Sequence, residues 1–266
     1  MSIVTEIRTQ NRLHNLLPAL ETVAEMGYNI VANETEWGYK LHLQDLSIRE
    51  VEISVEEYGY SVRLTVLACS EEFELYRDIV KTLHELTKGK LFFEGDTPFQ
   101  DADVFFNDDF IDAQIESDFR TIMTVAENGE EIEIFCPHRT FIIGKRVAET
   151  INKHSDLNTR LQTLWSLIRL SQYTEPVELN SPLFRINGDK ICTIYRQNNH
   201  GYIRKADYFA LQDGENMLSI PYTKLNDVKP DSWYMYDECQ FGCMDIDDSE
   251  WTAFWNRAKS HEVEMK

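Results

Sequence analysis

The chain has 266 residues, 42% of them hydrophobic and 12% aromatic, with 46 acidic against 26 basic residues and a formal net charge of -20. That apolar content supports a packed core in one large or two modest domains and is unlike the composition of a disordered chain. The charge disfavours nucleic-acid phosphates and anionic membrane surfaces, both of which call for clustered Lys and Arg, and leaves a basic protein, a cation or no specific partner.

Most of the excess charge sits in two windows. Residues 94–133 hold 13 Asp/Glu against the single base Arg120, and residues 231–250 hold 7 Asp/Glu with no Lys or Arg. Both are rich in aromatics, with Phe99, Phe105, Phe106, Phe110 and Phe119 in the first and Trp233, Tyr234, Tyr236 and Phe241 in the second. Concentrated charge of one sign focuses a field and selects partners, so the two windows are expected on one side of the molecular surface. Met1 to Leu20 contains no apolar run long enough for a signal peptide, and no segment reaches the ~20 apolar residues of a membrane helix. A cytoplasmic protein is expected. The five cysteines (Cys69, Cys136, Cys192, Cys239 and Cys243) are odd in number and scattered, which reads as reduced thiols acting as small hydrophobes.

In chain order, Leu13, Leu16, Leu17, Leu20, Val23 and Ala24 recur at helical spacing and predict a helix over Thr9–Met26, with Pro18 marking a kink or the true start. Extended segments follow at Tyr28–Ala32 and at Tyr39–Leu43, after the turn-like Glu36-Trp37-Gly38. Val51, Ile53 and Val55 alternate with polar residues, and past Tyr58-Gly59 so do Val62, Leu64 and Val66, which together predict a hairpin. Ser70 is expected to cap a second helix carrying the stripe Phe73, Tyr76, Val80, Leu83 and Leu86, with Gly89 at its stop. A strand at Lys90–Phe93 leads into an irregular acidic stretch, then a hairpin of Thr121–Ala126 and Glu131–Cys136 about Asn128-Gly129. Helices are predicted at Gly144–His154 and Leu157–Tyr173. Glu175-Pro176 and Ser181-Pro182 set an expected boundary between an α+β domain over 1–175 and a β-rich domain over 176–266. The latter has strands at Leu183–Ile186, Lys190–Tyr195, Tyr202–Leu211 and Met217–Pro221, and a short helix, Ser249–Lys259, whose Trp251, Phe254 and Trp255 are expected to clasp the strands. The fold class is therefore α+β: a mixed or antiparallel sheet layer with packed helices, plus a β-rich C-terminal unit closed by a short helix.

A helix over Asp108–Arg120 places Asp109, Asp112 and Glu116 on one face and Ile111, Ile115 and Phe119 on another. Such carboxylates suit Mg²⁺ or Mn²⁺, but a solvated helix face accounts for them more simply, and a partner surface with aromatic anchors more simply than a metal site. Asp245-x-Asp247-Asp248-x-Glu250 fails as a calcium loop, because Glu250 stands where glycine is required and Asn256 where a bidentate acid is required. Cys136-Pro137-His138 pairs a thiol with an imidazole, yet neighbours on a strand face opposite ways, and Cys136 continues the apolar alternation of Ile132 and Ile134. Cys239-x3-Cys243 lacks a second ligand pair, and His200 and His261 stand alone. His154-Ser155-Asp156 reads as helix capping, since consecutive residues cannot form a triad. No G-x-S-x-G, Walker A, G-x-G-x-x-G, H-E-x-x-H or C-x-x-C occurs.

The sequence thus points away from an enzyme and toward a cofactor-free binding protein for a basic protein, of the immunity, inhibitor or charge-mimic type. The contact residues it nominates are Asp101, Asp103, Asp108, Asp109, Asp112, Glu116, Asp237, Glu238 and Asp245. The alternatives are a metal-dependent hydrolase with carboxylates Asp109, Asp112 and Glu116 in the 94–133 window, and a structural protein with no specific acidic site.

Overall fold

The first residues form a strand, where the leucine spacing places the start of a helix a few positions later. β1 (Ser2–Arg8) buries Ile3, Thr5 and Ile7 on one face, and the helix α1 is confined to Leu17–Glu25. Pro18 lies in the first turn of α1, where its missing N–H costs nothing and its fixed φ suits a helix start. The computed structural model describes residues 2–173, 183–186, 188–197, 201–237 and 240–265. Their contacts divide the chain into two compact units, one of residues 1–124 with 135–137, the other of residues 125–134 with 138–266. The prolines that mark the expected boundary at 175/176 lie outside the described residues.

In the first unit, β2 (Ile30–Thr35), β3 (Gly38–Leu43), β4 (Val51–Glu56), β5 (Gly59–Thr65), β6 (Lys90–Phe93) and β7 (Thr97–Phe99) join β1 in a seven-stranded sheet of order β2-β3-β4-β5-β1-β6-β7. Each recorded pairing in this sheet is antiparallel. Between β5 and β6 the helix α2 (Ser70–Thr87) lies over β1, β4 and β5 and beside α1. Its buried stripe Phe73, Tyr76, Ile79, Val80 and Leu83 is the period-3.6 pattern of the sequence, and the Tyr76 hydroxyl meets Thr5 Oγ1 at 2.6 Å in the core.

Cys69, not Ser70, occupies the N-cap of α2, and Glu72 completes a capping box. The Glu72 carboxylate is fully buried and accepts from the backbone N–H groups of Ile48 at 2.5 Å, Arg49 at 2.6 Å and Cys69 at 2.8 Å. Burial pushes its pKa up to about 7, against the pull of those backbone donors.

The acidic stretch is more ordered than its composition suggests. α3 (Ala102–Phe105) is followed by α4 (Asp108–Glu127), which runs through residues 121–126 where a strand is predicted. Thr121, Ile122, Thr124 and Val125 favour strands locally, but Ile111, Ile115, Phe119, Met123 and Ala126 form one buried helical stripe that overrides them. The hydroxyls of Thr121 and Thr124 donate back to Ser117 O and Arg120 O, so both threonines are satisfied inside the helix.

The second unit takes in the end of α4 from Val125 and then β8 (Ile132–Phe135, less its last residue) and β9 (Thr140–Ile143), a two-stranded sheet, followed by α5 (Lys145–Ile151) and α6 (Leu157–Tyr173). Two glutamine amides stand in for peptide groups, one just before β9 and one within it. Gln172 accepts from His138 N at 3.0 Å and Arg139 N at 2.8 Å and donates to Arg139 O. Gln240 accepts from Ile142 N at 2.8 Å and donates to Ile142 O.

Beyond lie β10 (Leu183–Ile186), β11 (Lys190–Arg196), β12 (Gly201–Arg204), β13 (Tyr208–Asp213), β14 (Asn216–Pro221), α7 (Leu225–Val228), β15 (Tyr234–Asp237), β16 (Gln240–Cys243) and α8 (Asp248–Lys259). They build a four-stranded sheet β10-β11-β13-β14, parallel only between β11 and β13, and a three-stranded sheet β12-β16-β15. The single strand predicted over Tyr202–Leu211 is two strands in different sheets, with residues 205–207 between them. Trp251, Phe254 and Ala258 of α8 join Tyr195, Phe209, Trp233 and Phe241 in one core, with Trp255 packed against it. The fold is therefore α+β, with a β-rich C-terminal part closed by a short helix.

Candidate interaction surface

The turn from α3 into α4 carries a run of exposed carboxylates, and local hydrogen bonds fix its shape. Asp101 caps α3, its Oδ1 accepting from Asp103 N at 2.9 Å and Val104 N at 3.2 Å. Asn107 Oδ1 accepts from Phe110 N at 3.0 Å, and its amide donates to Val104 O. Beneath this turn Phe93, Phe99, Phe105, Phe106 and Phe110 pack ring against ring. Phe99 stacks on Phe105 at 4.4 Å, and Phe106 meets Phe110 edge-on at 5.2 Å and Tyr76 at 5.3 Å. Phe106 is buried, the other four phenylalanines are half-buried, and Val104 stands 69% exposed above them. The result is a rigid aromatic base, half accessible and ringed by acid.

Asp101, Asp103, Asp108, Asp109 and Asp112 are all exposed here. Asp103 pairs with Lys81 and approaches Arg77 Nε at 3.7 Å. Asp108, Asp109 and Asp112 have no cationic partner among the described residues. Glu116, a turn further on, is tied to Arg120 at 2.5 Å. Asp118 leaves the series altogether. It is buried, accepts from Leu67 N at 3.2 Å and Gln114 Nε2 at 2.8 Å, and burial raises its carboxyl above the usual range.

The second window is put to other uses. Asp237 does not face solvent, contrary to its nomination as a contact residue: it is 1% exposed, and its Oδ2 accepts from Gly144 N and Val147 N, each at 3.1 Å. It thereby caps α5, whose own N-cap, Gly144, has no side chain to do so. A Cβ at residue 144 would stand 3.0 Å from Asp237 Oδ2, so glycine is what lets the carboxylate approach. Asp247 caps α8 through Glu250 N at 2.8 Å, and Asp248 accepts from Gln197 Nε2 at 2.8 Å. Asp245 is exposed, and Glu238 lies outside the described residues. The aromatics of this window, Trp233, Tyr236 and Phe241, are buried, while Tyr234 is exposed.

Of the nominated residues, α3 and α4 bring together Asp101, Asp103, Asp108, Asp109 and Asp112. Glu116 lies further along α4, and Asp237 and Asp245 belong to the other unit. Among the described residues, no three or more His, Cys, Asp or Glu side chains are grouped as a metal ion would require. Cys69, Cys192 and Cys243 are buried thiols; burial pushes Cys192 up to about 11 and Cys243 well above its usual value, so neither is poised as a nucleophile. Cys136 is half-buried just past β8, and Cys239 and His200 lie outside the described residues. Asp156 caps α6 through Asn158 N and Thr159 N, and the Thr159 hydrogen bonds hold its carboxyl below the usual range.

One feature the sequence shows only as a turn is Trp37, exposed beside a cavity in the first unit. Its lone signal is a tryptophan flanked by Glu36 and Gly38. Among the described residues no helix is long and apolar enough to cross a membrane. Neither family models, curated proteins nor solved structures match the chain.

Proposed function

We propose that this chain is a non-catalytic, cytoplasmic binding protein that receives a basic protein partner on the acidic face of α3 and α4, in the manner of an immunity protein, an inhibitor or a charge mimic. The observation that carries this reading is the exposed trio Asp108, Asp109 and Asp112, without cationic partners among the described residues, set around the exposed Val104 and the half-buried rings of Phe105 and Phe110. Unpaired surface carboxylates raise association rates with a cationic partner, and rigid aromatics beside them supply contact area at low entropic cost. The test is affinity capture from native lysate at low and high salt, comparing the wild-type chain with Asp108→Lys, Asp109→Lys and Asp112→Lys combined. A basic protein retained by the wild type at low salt, released at high salt and lost by the triple variant is expected. Equal capture by both forms would move the interaction off this face.

A further inference from the structure

A second recognition feature of the first unit lies at the β2–β3 hairpin and uses none of the α3–α4 residues. A cavity of about 460 Å³ opens between the loop of residues 13–16 and the hairpin turn. Its walls include Trp37, Tyr39, Tyr60, His14, Glu34 and Glu36, and no lysine or arginine among the described residues lines it. Trp37 is 66% exposed, although its backbone is held firmly. Trp37 O accepts from Val55 N at 2.7 Å, and a Cβ on the following Gly38 (φ 158°) would come within 1.9 Å of Ile53 O, so only glycine lets the turn press onto β4. On the opposite wall the Tyr60 hydroxyl accepts from Leu13 N at 2.7 Å. A large indole is thus presented to solvent by a fixed turn, beside two carboxylates.

Next to this cavity runs one edge of the sheet, since β2 is a terminal strand and pairs only with β3 among the described residues. Facing residues of an antiparallel pair alternate between those that exchange hydrogen bonds and those that do not. Gln44 N donates to Asn29 O at 2.9 Å, which sets the phase for the register running from Ile30↔Leu43 to Thr35↔Gly38. Asn29, Val31, Asn33 and Thr35 therefore turn their backbone groups to β3, while Ile30, Ala32 and Glu34 turn theirs outward. The side chains of residues 32–35 are exposed, and β2 holds no lysine, proline or bulge of the kind that normally blunts an edge.

We propose that the β2 edge and the Trp37 cavity form a docking site for an extended basic segment of a partner protein. The segment adds as an eighth strand beside β2 and lays a lysine or arginine side chain on the Trp37 ring, between Glu34 and Glu36. Backbone pairing holds the strand without regard to sequence, and the side-chain cavity selects for charge. A cation over an indole flanked by carboxylates is favoured both by the ring quadrupole and by simple charge attraction. The site is independent of the α3–α4 face and stands or falls apart from it.

The test uses the full chain and a fluorescein-labelled peptide of alternating lysine and valine, followed by fluorescence anisotropy at low salt, with a glutamate–valine peptide as control. The lysine peptide is expected to bind and the glutamate peptide not to. Trp37→Ala, at a surface site and therefore without a change in melting temperature, is expected to weaken binding about tenfold. Amide exchange at Ile30, Ala32 and Glu34 is expected to slow in the complex. Absence of binding, equal affinity of the Trp37→Ala chain, or unaltered exchange at those amides would overturn the proposal. Binding lost in Asp109→Asn with Asp112→Asn but kept in Trp37→Ala would assign the peptide to the α3–α4 face, overturning this site while supporting the other.

Discussion

Asp109 and Asp237 come from acidic, aromatic-rich windows of similar composition, yet the structure puts them to opposite uses. Asp109 stands in solvent on α4 with no cation beside it among the described residues, and Asp237 is sealed in the second unit with two backbone N–H groups on one oxygen. The aromatics divide less cleanly: Phe105 and Phe110 are half open in the first window but Phe106 and Phe119 are buried, and in the second Trp233, Tyr236 and Phe241 are closed while Tyr234 is exposed. A run of acid therefore says little until each carboxylate is asked which donors it satisfies. Both residues lie at helix N-termini: Asp237 caps α5 from 93 residues away and is buried in doing so, whereas Asp109, in the first turn of α4, stays in solvent while Asn107 Oδ1 accepts from Phe110 N.

The difference can be broken most forcefully in the second unit's core. Phe254→Ala removes a fully buried ring from α8 and is expected to destabilise that unit by about 3–5 kcal/mol, read as a fall in urea midpoint. A loss below about 1 kcal/mol would mean that α8 is not the clasp its burial describes. Asp237→Ala is next, at about 3 kcal/mol, because it leaves Gly144 N and Val147 N buried without their acceptor. Rapid amide exchange at those two positions would report the frayed start of α5.

Glu72 separates burial from location, since it lies in neither window and is fully buried. Its pKa is raised from the ordinary 4.5 to about 7, so the folded state binds more protons than the unfolded state between those values. Its contribution is accordingly most favourable below pH 4.5 and is lost as pH rises toward 7. The stability difference between wild type and Glu72→Gln is expected to shrink by about 2–3 kcal/mol across that interval, measured by denaturant titration at several pH values. A flat difference would mean the carboxylate stays charged throughout. The smallest effect belongs to the first window. Asp108→Asn, Asp109→Asn and Asp112→Asn together are expected to change stability by no more than about 0.5 kcal/mol per site while weakening capture of a basic partner.

What was legible in the sequence follows the range of the interactions concerned. The stripe of α2, the Val51–Val66 hairpin and the aromatic face of α8 depend on neighbours a few residues away and were readable by period. β1 was not, because Ile3, Thr5 and Ile7 make a short alternation whose meaning comes from β5 and β6, some 50–90 residues on. The strand expected at 121–126 failed for a related reason: β-branched residues state a local preference, and the stripe from Ile111 to Ala126 outweighs it. That Asp101, Asp103, Asp108, Asp109 and Asp112 lie together was legible because α3 and α4 are contiguous in sequence. The role of Asp237, 93 residues from Gly144, was not legible, nor was the edge position of Trp37, which only the strand order reveals.

The central place of β1 also sets a timetable for the ribosome. β1 emerges before both of the strands that flank it, and β5 begins 51 residues after β1 ends, so at about 5–20 residues per second it waits roughly 3–10 s for its first partner. During that wait its apolar face and both of its hydrogen-bonding edges are unpaired, and its second neighbour, β6, arrives only after α2 has been made. Completion of the sheet is thus tied to translation through residue 99, and nascent chains stalled short of β6 are expected to be the ones that chaperones hold.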